Sequence, residues 1–126
     1  MECPPFREEL GRGSWALMHT LAAHFPTAPT AYERAHAAGF FAALAALYPC
    51  SYCRDDFAAS VAAEPPCVES RAALTAWLCR QHNQVNAKLG KPAFPCTAEA
   101  LEQRWRRGGP GCGEAQDSLG HDSAVS

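Results

Sequence analysis

Proline cuts this chain into stretches that each carry a helical pattern, and that division constrains the fold more than any other feature. The first stretch runs from about Glu8 to Phe25 and ends at Pro26. Trp15, Met18, Ala22 and Phe25 share one side of it, with Leu10, Leu17 and Leu21 widening the apolar surface. A second helix is expected from Thr30 to Tyr48, where Thr30 and Glu33 form a capping box and Tyr32, Ala35, Phe40, Phe41, Leu44 and Leu47 recur at helical intervals. A third, about Ser51 to Ala63, stops before Glu64-Pro65-Pro66. The fourth follows Ser70 as a cap and extends to about Leu89, with Gly90 as the stop. A short fifth, about Ala98 to Arg106, follows Thr97 and carries Trp105. Neither strand alternation nor an internal repeat is visible. The fold class is all-α, a four-helix bundle plus a short fifth helix. From Gly108 onward the sequence is rich in Gly, Ser and acidic residues, so residues 1–112 are expected to form the domain and 113–126 a flexible tail.

Between the second and third helices lies Cys50-Ser51-Tyr52-Cys53, directly after Pro49. Cysteines three positions apart close a small ring that opens easily, which suits electron relay better than stapling. A thioredoxin-type pair would follow a buried strand inside a βαβ unit, and the flanking residues here are helical instead. Placing Cys53 within the first turn of the third helix would bring free backbone N–H groups near its sulfur and favour the thiolate. Two buried core cysteines, or half of a zinc site, are the alternatives that the pair alone leaves open.

A length of 126 residues is one domain, small enough for cross-links to help it. Net charge is −2 and the isoelectric point about 6.2, with Lys and Arg spread along the chain, so nucleic acid is not an expected partner. Seven cysteines in so short a chain point to an oxidising or redox-active compartment, and the odd number leaves one thiol over or paired between chains. The longest apolar run, around Phe40 to Leu47, is far too short to cross a bilayer, and the first residues do not read as a signal peptide. No membrane partner is expected.

The fourth helix carries a second signal. Cys79, His82, Asn83 and Asn86 fall on one narrow polar face, beside an apolar face of Leu74, Leu78, Val85 and Leu89. A polar stripe next to a core stripe implies a buried polar object, and His with two Asn offers the donors and acceptors that the edge of a heteroaromatic ring needs. A solvated face is the plain reading of such residues taken singly. Zinc held by Cys79, His82 and the dithiol is a weaker alternative, since it leaves the Trp and Asn residues unexplained.

The run Arg7-Glu8-Glu9-Leu10-Gly11-Arg12-Gly13-Ser14-Trp15, then His19, then Tyr48-Pro49-Cys50-Ser51-Tyr52-Cys53, then the continuous stretch from Trp77 to Pro92 resemble the Erv/ALR family of FAD-dependent sulfhydryl oxidases, in particular its augmenter-of-liver-regeneration branch. The resemblance covers roughly Cys3 to Cys112. It implies a helical bundle that holds FAD and pairs as a homodimer. By the same resemblance Cys50 and Cys53 are the active dithiol, Cys53 proximal to the flavin and Cys50 exchanging disulfides with incoming thiols. Electrons then pass to FAD and on to oxygen, giving hydrogen peroxide, or to cytochrome c. Arg12, Trp15, His19, Tyr48, Cys79, His82, Asn83, Val85, Asn86, Lys88, Lys91, Phe94, Arg104 and Trp105 match positions that contact FAD in the family, with Arg7 a less secure addition. Stacking suits Trp15 and Trp105, and Lys88, Lys91 and Arg12 can neutralise a pyrophosphate.

The resemblance also assigns the remaining cysteines. Cys79 and Cys96 match a structural disulfide, worth about 3 kcal/mol in the chain-entropy model. Cys3 and Cys112 match a pair that links the two subunits. Cys67 has no counterpart and is expected as a free, exposed thiol in the loop after Pro66. Family members usually carry a second, shuttle cysteine pair on a flexible arm, and no second Cys-x-x-Cys is present in this sequence. The spacing around Trp105 and Cys112 also differs from that of close relatives. The resemblance further implies a thiol protein as substrate, a CPC-type import oxidoreductase, in the mitochondrial intermembrane space, with the endoplasmic reticulum or another oxidising compartment as the alternative. A surface-acting signalling module in which the dithiol is dispensable is the competing class of function.

Overall fold

A computed structural model describes residues 1–112 of the chain; the expected tail at 113–126 lies outside the described residues. The elements are α1 (Arg7–Ala23), α2 (Ala31–Leu47), α3 (Ser51–Ala63), α4 (Arg71–Lys88) and α5 (Ala98–Glu102), the last running into a π turn over Gln103–Arg107. Among the described residues all regular structure is helical.

Each start has a local cause. Thr30 Oγ1 accepts from the Glu33 N–H while Glu33 Oε1 accepts from the Thr30 N–H, so the capping box forms in both directions. Ser70 and Thr97 cap α4 and α5 by accepting from the N–H groups of Ala73 and Ala100. The ends depart slightly from the sequence pattern. His24 terminates α1 two residues before Pro26, and Phe25 turns inward to join the core instead of extending the helix. The fifth helix is the larger departure. After Glu102 the backbone widens, the Gly108 N–H donates to Gln103 O, and Gly108 takes φ of 74°, a conformation that favours glycine. A Cβ at Gly108 would also lie 2.5 Å from Cys112 Cβ, so the chain folds Cys112 back onto this glycine.

Met18, Ala22 and Phe25 from α1 and its end, Ala37 and Phe41 from α2, and Leu74, Trp77 and Leu78 from α4 form one core. Trp77 is fully buried and packs edge-on against Phe41 at 5.0 Å between ring centroids. Its indole N–H donates to Glu64 O at 2.8 Å, which ties α4 to the end of α3. Glu64 extends the tie: its carboxylate accepts two bonds from Arg80 and one from the buried Gln81. No helix among the described residues is long and apolar enough to cross a membrane. The apolar surface expected on α1 is narrower than the pattern suggested, since Leu17 is 59% exposed.

Candidate active site

The dithiol sits where the sequence places it, at the entry to α3, yet its electrostatics run opposite to expectation. Cys50 is the N-cap, and its sulfur accepts from the Cys53 N–H at 3.3 Å. A capping side chain receives the N–H of the third helical residue, so this donor serves Cys50. Cys50 is accordingly held below the usual thiol range, first by its hydrogen bond with the Cys53 thiol, then by the Cys53 N–H, with the Arg7 guanidinium adding to both. Burial pushes Cys53 up to about 11, assisted by hydrogen bonding and charge from Cys50. The helix terminus thus favours the charged form of Cys50 over that of Cys53, in contrast to the preference expected from the sequence.

Two residues before the dithiol, half-buried Tyr48 meets Ser14 Oγ at 3.1 Å. That contact holds the turn against α1, whose next residue is Trp15. Trp15 stacks on His82 of α4 with ring centroids 4.0 Å apart and an interplanar angle of 3°. His19, one turn further along α1, stacks on Trp105 at 4.3 Å and 5°. The two imidazoles meet through His19 Nε2 and His82 Nδ1 at 2.8 Å. Four of the expected residues thus converge into one ring cluster built from α1, α4 and the π turn. Arg104 joins it, its guanidinium 3.8 Å over the Trp105 ring.

Both imidazoles are held neutral. Burial lowers His19 to about 3, with His82 and Arg104 adding to the effect, and burial followed by the charge of Lys91 lowers His82. A short N···N contact of this kind needs one ring to donate and the other to accept, which neutral tautomers allow. The consequence for stability has a definite sign. The unfolded chain binds a proton at His19 near pH 6.5 and the folded chain only near 3, so stability is fully present above 6.5 and falls as the pH drops through that window. His19→Gln is expected to flatten the curve by up to about 1.4 kcal/mol per pH unit. Urea unfolding of both proteins at several pH values below neutrality checks this, and parallel curves would contradict it.

Other expected residues are placed with different duties. Asn83 holds Phe94 with both ends of its carboxamide: Oδ1 accepts from the Phe94 N–H at 2.9 Å and Nδ2 donates to the Phe94 carbonyl at 2.9 Å, and Nδ2 also lies 3.3 Å from the Cys96 sulfur. This fixes the segment between Pro92 and Cys96, where the Cys79–Cys96 disulfide forms as the resemblance implied. The disulfide also removes Cys79 from any zinc set. Asn86 donates to Asn83 Oδ1 at 3.2 Å. Lys88 pairs with Asp56 of α3, while Arg12 and Lys91 lie exposed and Val85 is half-buried. Phe94 and Arg104 line a pocket of about 410 Å³ with Gln103, Gly108 and Cys112, next to the ring cluster.

Cys67 is free, as expected, but half-buried, with Arg80 Nη2 3.8 Å from its sulfur. Cys3 is exposed and Cys112 half-buried, and both are free thiols. Sequence reasoning left Arg7 at the margin, and its charge is a minor influence on Cys50, behind both bonds with Cys53. The Glu64 carboxylate, which gathers Arg80 and Gln81, carried no motif at all.

The model of the Erv1/Alr family matches residues 12–106. The chain is 42% identical over 105 residues to the mitochondrial FAD-linked sulfhydryl oxidase ERV1 of Saccharomyces cerevisiae, covering 83% of this chain and 54% of that protein. To the FAD-linked sulfhydryl oxidase ERV1 of Oryza sativa it is 43% identical over 102 residues, 81% of this chain and 52% of the other. The chain spans about half the length of these curated relatives. The crystal structure of the yeast Erv1 core superposes with a TM-score of 0.82 at 41% identity, covering 86% of this chain and 90% of that one. The FAD-binding domain of yeast Erv1 gives a TM-score of 0.77 at 40% identity, over 81% and 95%. With the dithiol at the head of α3, the ring cluster between α1 and α4 and the disulfide behind it, this chain belongs to the Erv1/Alr family.

Proposed function

We propose that residues 1–112 are the catalytic unit of an FAD-dependent sulfhydryl oxidase. The observation that carries this reading is the seating of the Cys50–Cys53 dithiol on the same helix, through Tyr48 and Ser14, as the rings of Trp15 and His19. The donor set fits a flavin dinucleotide. Flat ring faces at Trp15, His19, His82 and Trp105 suit stacking, two neutral imidazoles offer both donors and acceptors, and Lys91 and Arg104 bring positive charge to the edge of the cluster. Arg12 and Lys88 are the further cations assigned to the pyrophosphate, with Tyr48, Asn83, Val85, Asn86 and Phe94 as wall residues. FAD held by these residues would supply the acceptor for the electron pair of the dithiol, with oxygen or cytochrome c as the final acceptor.

The chain's own part is thiol exchange. A substrate thiolate attacks Cys50 of the oxidised pair, and Cys53 leaves. A second substrate thiol then displaces Cys50, which leaves the substrate oxidised and the dithiol reduced. The more exposed position of Cys50 suits it to the outer role, and the greater burial of Cys53 suits it to the inner one. The yeast relative is named mitochondrial. We extend that to this chain, with the intermembrane space as its compartment, a CPC-type import oxidoreductase as its substrate and a homodimer as its state, bridged by Cys3 and Cys112.

The purified protein is expected to absorb between about 350 and 500 nm and to consume oxygen with dithiothreitol. A colourless preparation that takes up no FAD on reconstitution would sink the reading.

A further inference from the structure

We propose that Asp56 is a positioning residue for the dithiol: through its ion pair with Lys88 it forms the rung nearest Cys53 in a polar ladder that sets how α3 lies on α4. The inference rests on the thiol-oxidase reading above, in which Cys53 is the inner sulfur. Asp56 and Ser60 on α3 and Glu64 at its end stand four residues apart, as do Lys88, Gln84 and Arg80 on α4. Lys88 pairs with Asp56, Ser60 Oγ donates to Gln84 Oε1 at 3.0 Å, and Arg80 Nη2 donates to Glu64 Oε2 at 2.7 Å. Residues four apart share one face of a helix, so the three rungs form a single seam. As one number rises by four the other falls by four, so the helices run antiparallel and the seam fixes their register.

The seam matters because no residue of α3 is fully buried, and the helix meets the core through the half-buried side chains of Phe57 and Val61. Cys53 heads the same stripe, one turn before Phe57, and Asp56 is its neighbour three residues on. Any rotation or slide of α3 therefore carries Cys53 with it. Asp56, Ser60 and Glu64 are half-buried, whereas Lys88, Gln84 and Arg80 are exposed and reach over them from α4. Exposed pairs of this kind are individually weak, so losing one rung is expected to shift the seat of α3 without unfolding the domain.

The far end of the seam provides an internal comparison. Arg80 donates to Glu64 from both Nε and Nη2, and its Nη2 also lies 3.8 Å from the Cys67 sulfur. A half-buried thiol thus stands at each end of the ladder, Cys53 beside the first rung and Cys67 beside the third. Local positioning by a rung should affect the thiol at its own end, whereas general loosening of α3 should affect both.

The test alkylates the reduced full chain with iodoacetamide and reads each cysteine separately from fragment ions; it needs neither flavin nor turnover, so its failure is separate from failure of the oxidase reading. Asp56→Ala is expected to speed alkylation of Cys53 by about three- to tenfold and to leave Cys67 at the parent rate, and Arg80→Ala to do the reverse. Exchanging the charges, Asp56→Lys with Lys88→Asp, is expected to return Cys53 to the parent rate in the same assay. In turnover with dithiothreitol, Asp56→Ala should lower kcat by about three- to tenfold and keep KM within about twofold, because substrate meets Cys50 while Cys53 passes the electrons inward. A Cys53 rate in Asp56→Ala equal to the parent's overturns the proposal. So does an equal rise at Cys53 and Cys67, which would mark general loosening, and so does a charge exchange that leaves Cys53 fast. Circular dichroism of each variant checks that the helices persist.

Discussion

Cys50→Ser and Cys53→Ser each lower dithiol-driven oxygen consumption by about 10³-fold or more, and the double variant is no worse than either single one. The reason is stoichiometric. A disulfide relay passes two electrons only if both sulfurs can close the ring and open it, and a serine oxygen does neither. The two residues act as one unit, so their losses do not add. The variants should differ in one observable. Cys53→Ser leaves the outer sulfur free to attack a disulfide-form substrate, forming a stable mixed disulfide and releasing one substrate thiol, whereas Cys50→Ser does not, and mass spectrometry after incubation with a disulfide substrate separates them. Cys67→Ser is the matched control; its sulfur lies against Pro65 O and Arg80, beyond the end of α3 and away from the dithiol at its start. Turnover that survives in either single variant above about a tenth of the parent rate removes the dithiol from the mechanism. A signalling role that ignores the dithiol predicts instead that the double variant keeps its full biological effect.

Much of the fold was readable because its punctuation is local. Thr30 with Glu33, Ser70 and Thr97 each satisfy orphan N–H groups at a helix start, and such bonds depend on residues three apart in sequence. The π turn was not readable. It closes through a Gly108 N–H to Gln103 O bond, at a glycine with φ of 74° onto which Cys112 packs. The site divides in the same way. Periodicity placed His82, Asn83 and Asn86 on one face of α4, but it could not say that Asn83 would spend its carboxamide on Phe94, because that partner lies beyond the helix. Pairing of Trp15 with His82, and of His19 with Trp105, depends on how α1 packs against α4 and the π turn. The dithiol shows the sharpest gap. Helix-terminus reasoning pointed to Cys53, whereas the inner N–H of this terminus goes to the capping residue Cys50.

Trp77→Ala is expected to cost about 3–5 kcal/mol, the range for a fully buried aromatic. Three elements meet on this side chain: its own helix α4, Phe41 of α2 edge-on against the indole, and Glu64 at the end of α3, whose carbonyl accepts the indole N–H at 2.8 Å. Alanine leaves a cavity at the centre of the core and a carbonyl without its donor. Trp77→Phe separates the two losses, since it keeps most of the apolar volume and removes only the N–H; about 1–2 kcal/mol is expected for it. Urea unfolding at neutral pH ranks the variants, and thermal midpoints should fall by about 15 °C for alanine. If phenylalanine proved as damaging as alanine, the indole hydrogen bond would outweigh the packing. Activity should follow stability only in part. Trp77 lies on α4 one turn before Gln81 and His82, so loosening its seat also loosens the face that carries His82 and Asn83. In a domain with a total stability of order 5–15 kcal/mol, alanine here leaves a small margin, and the ring cluster would feel the loss before the Cys79–Cys96 tether gave way.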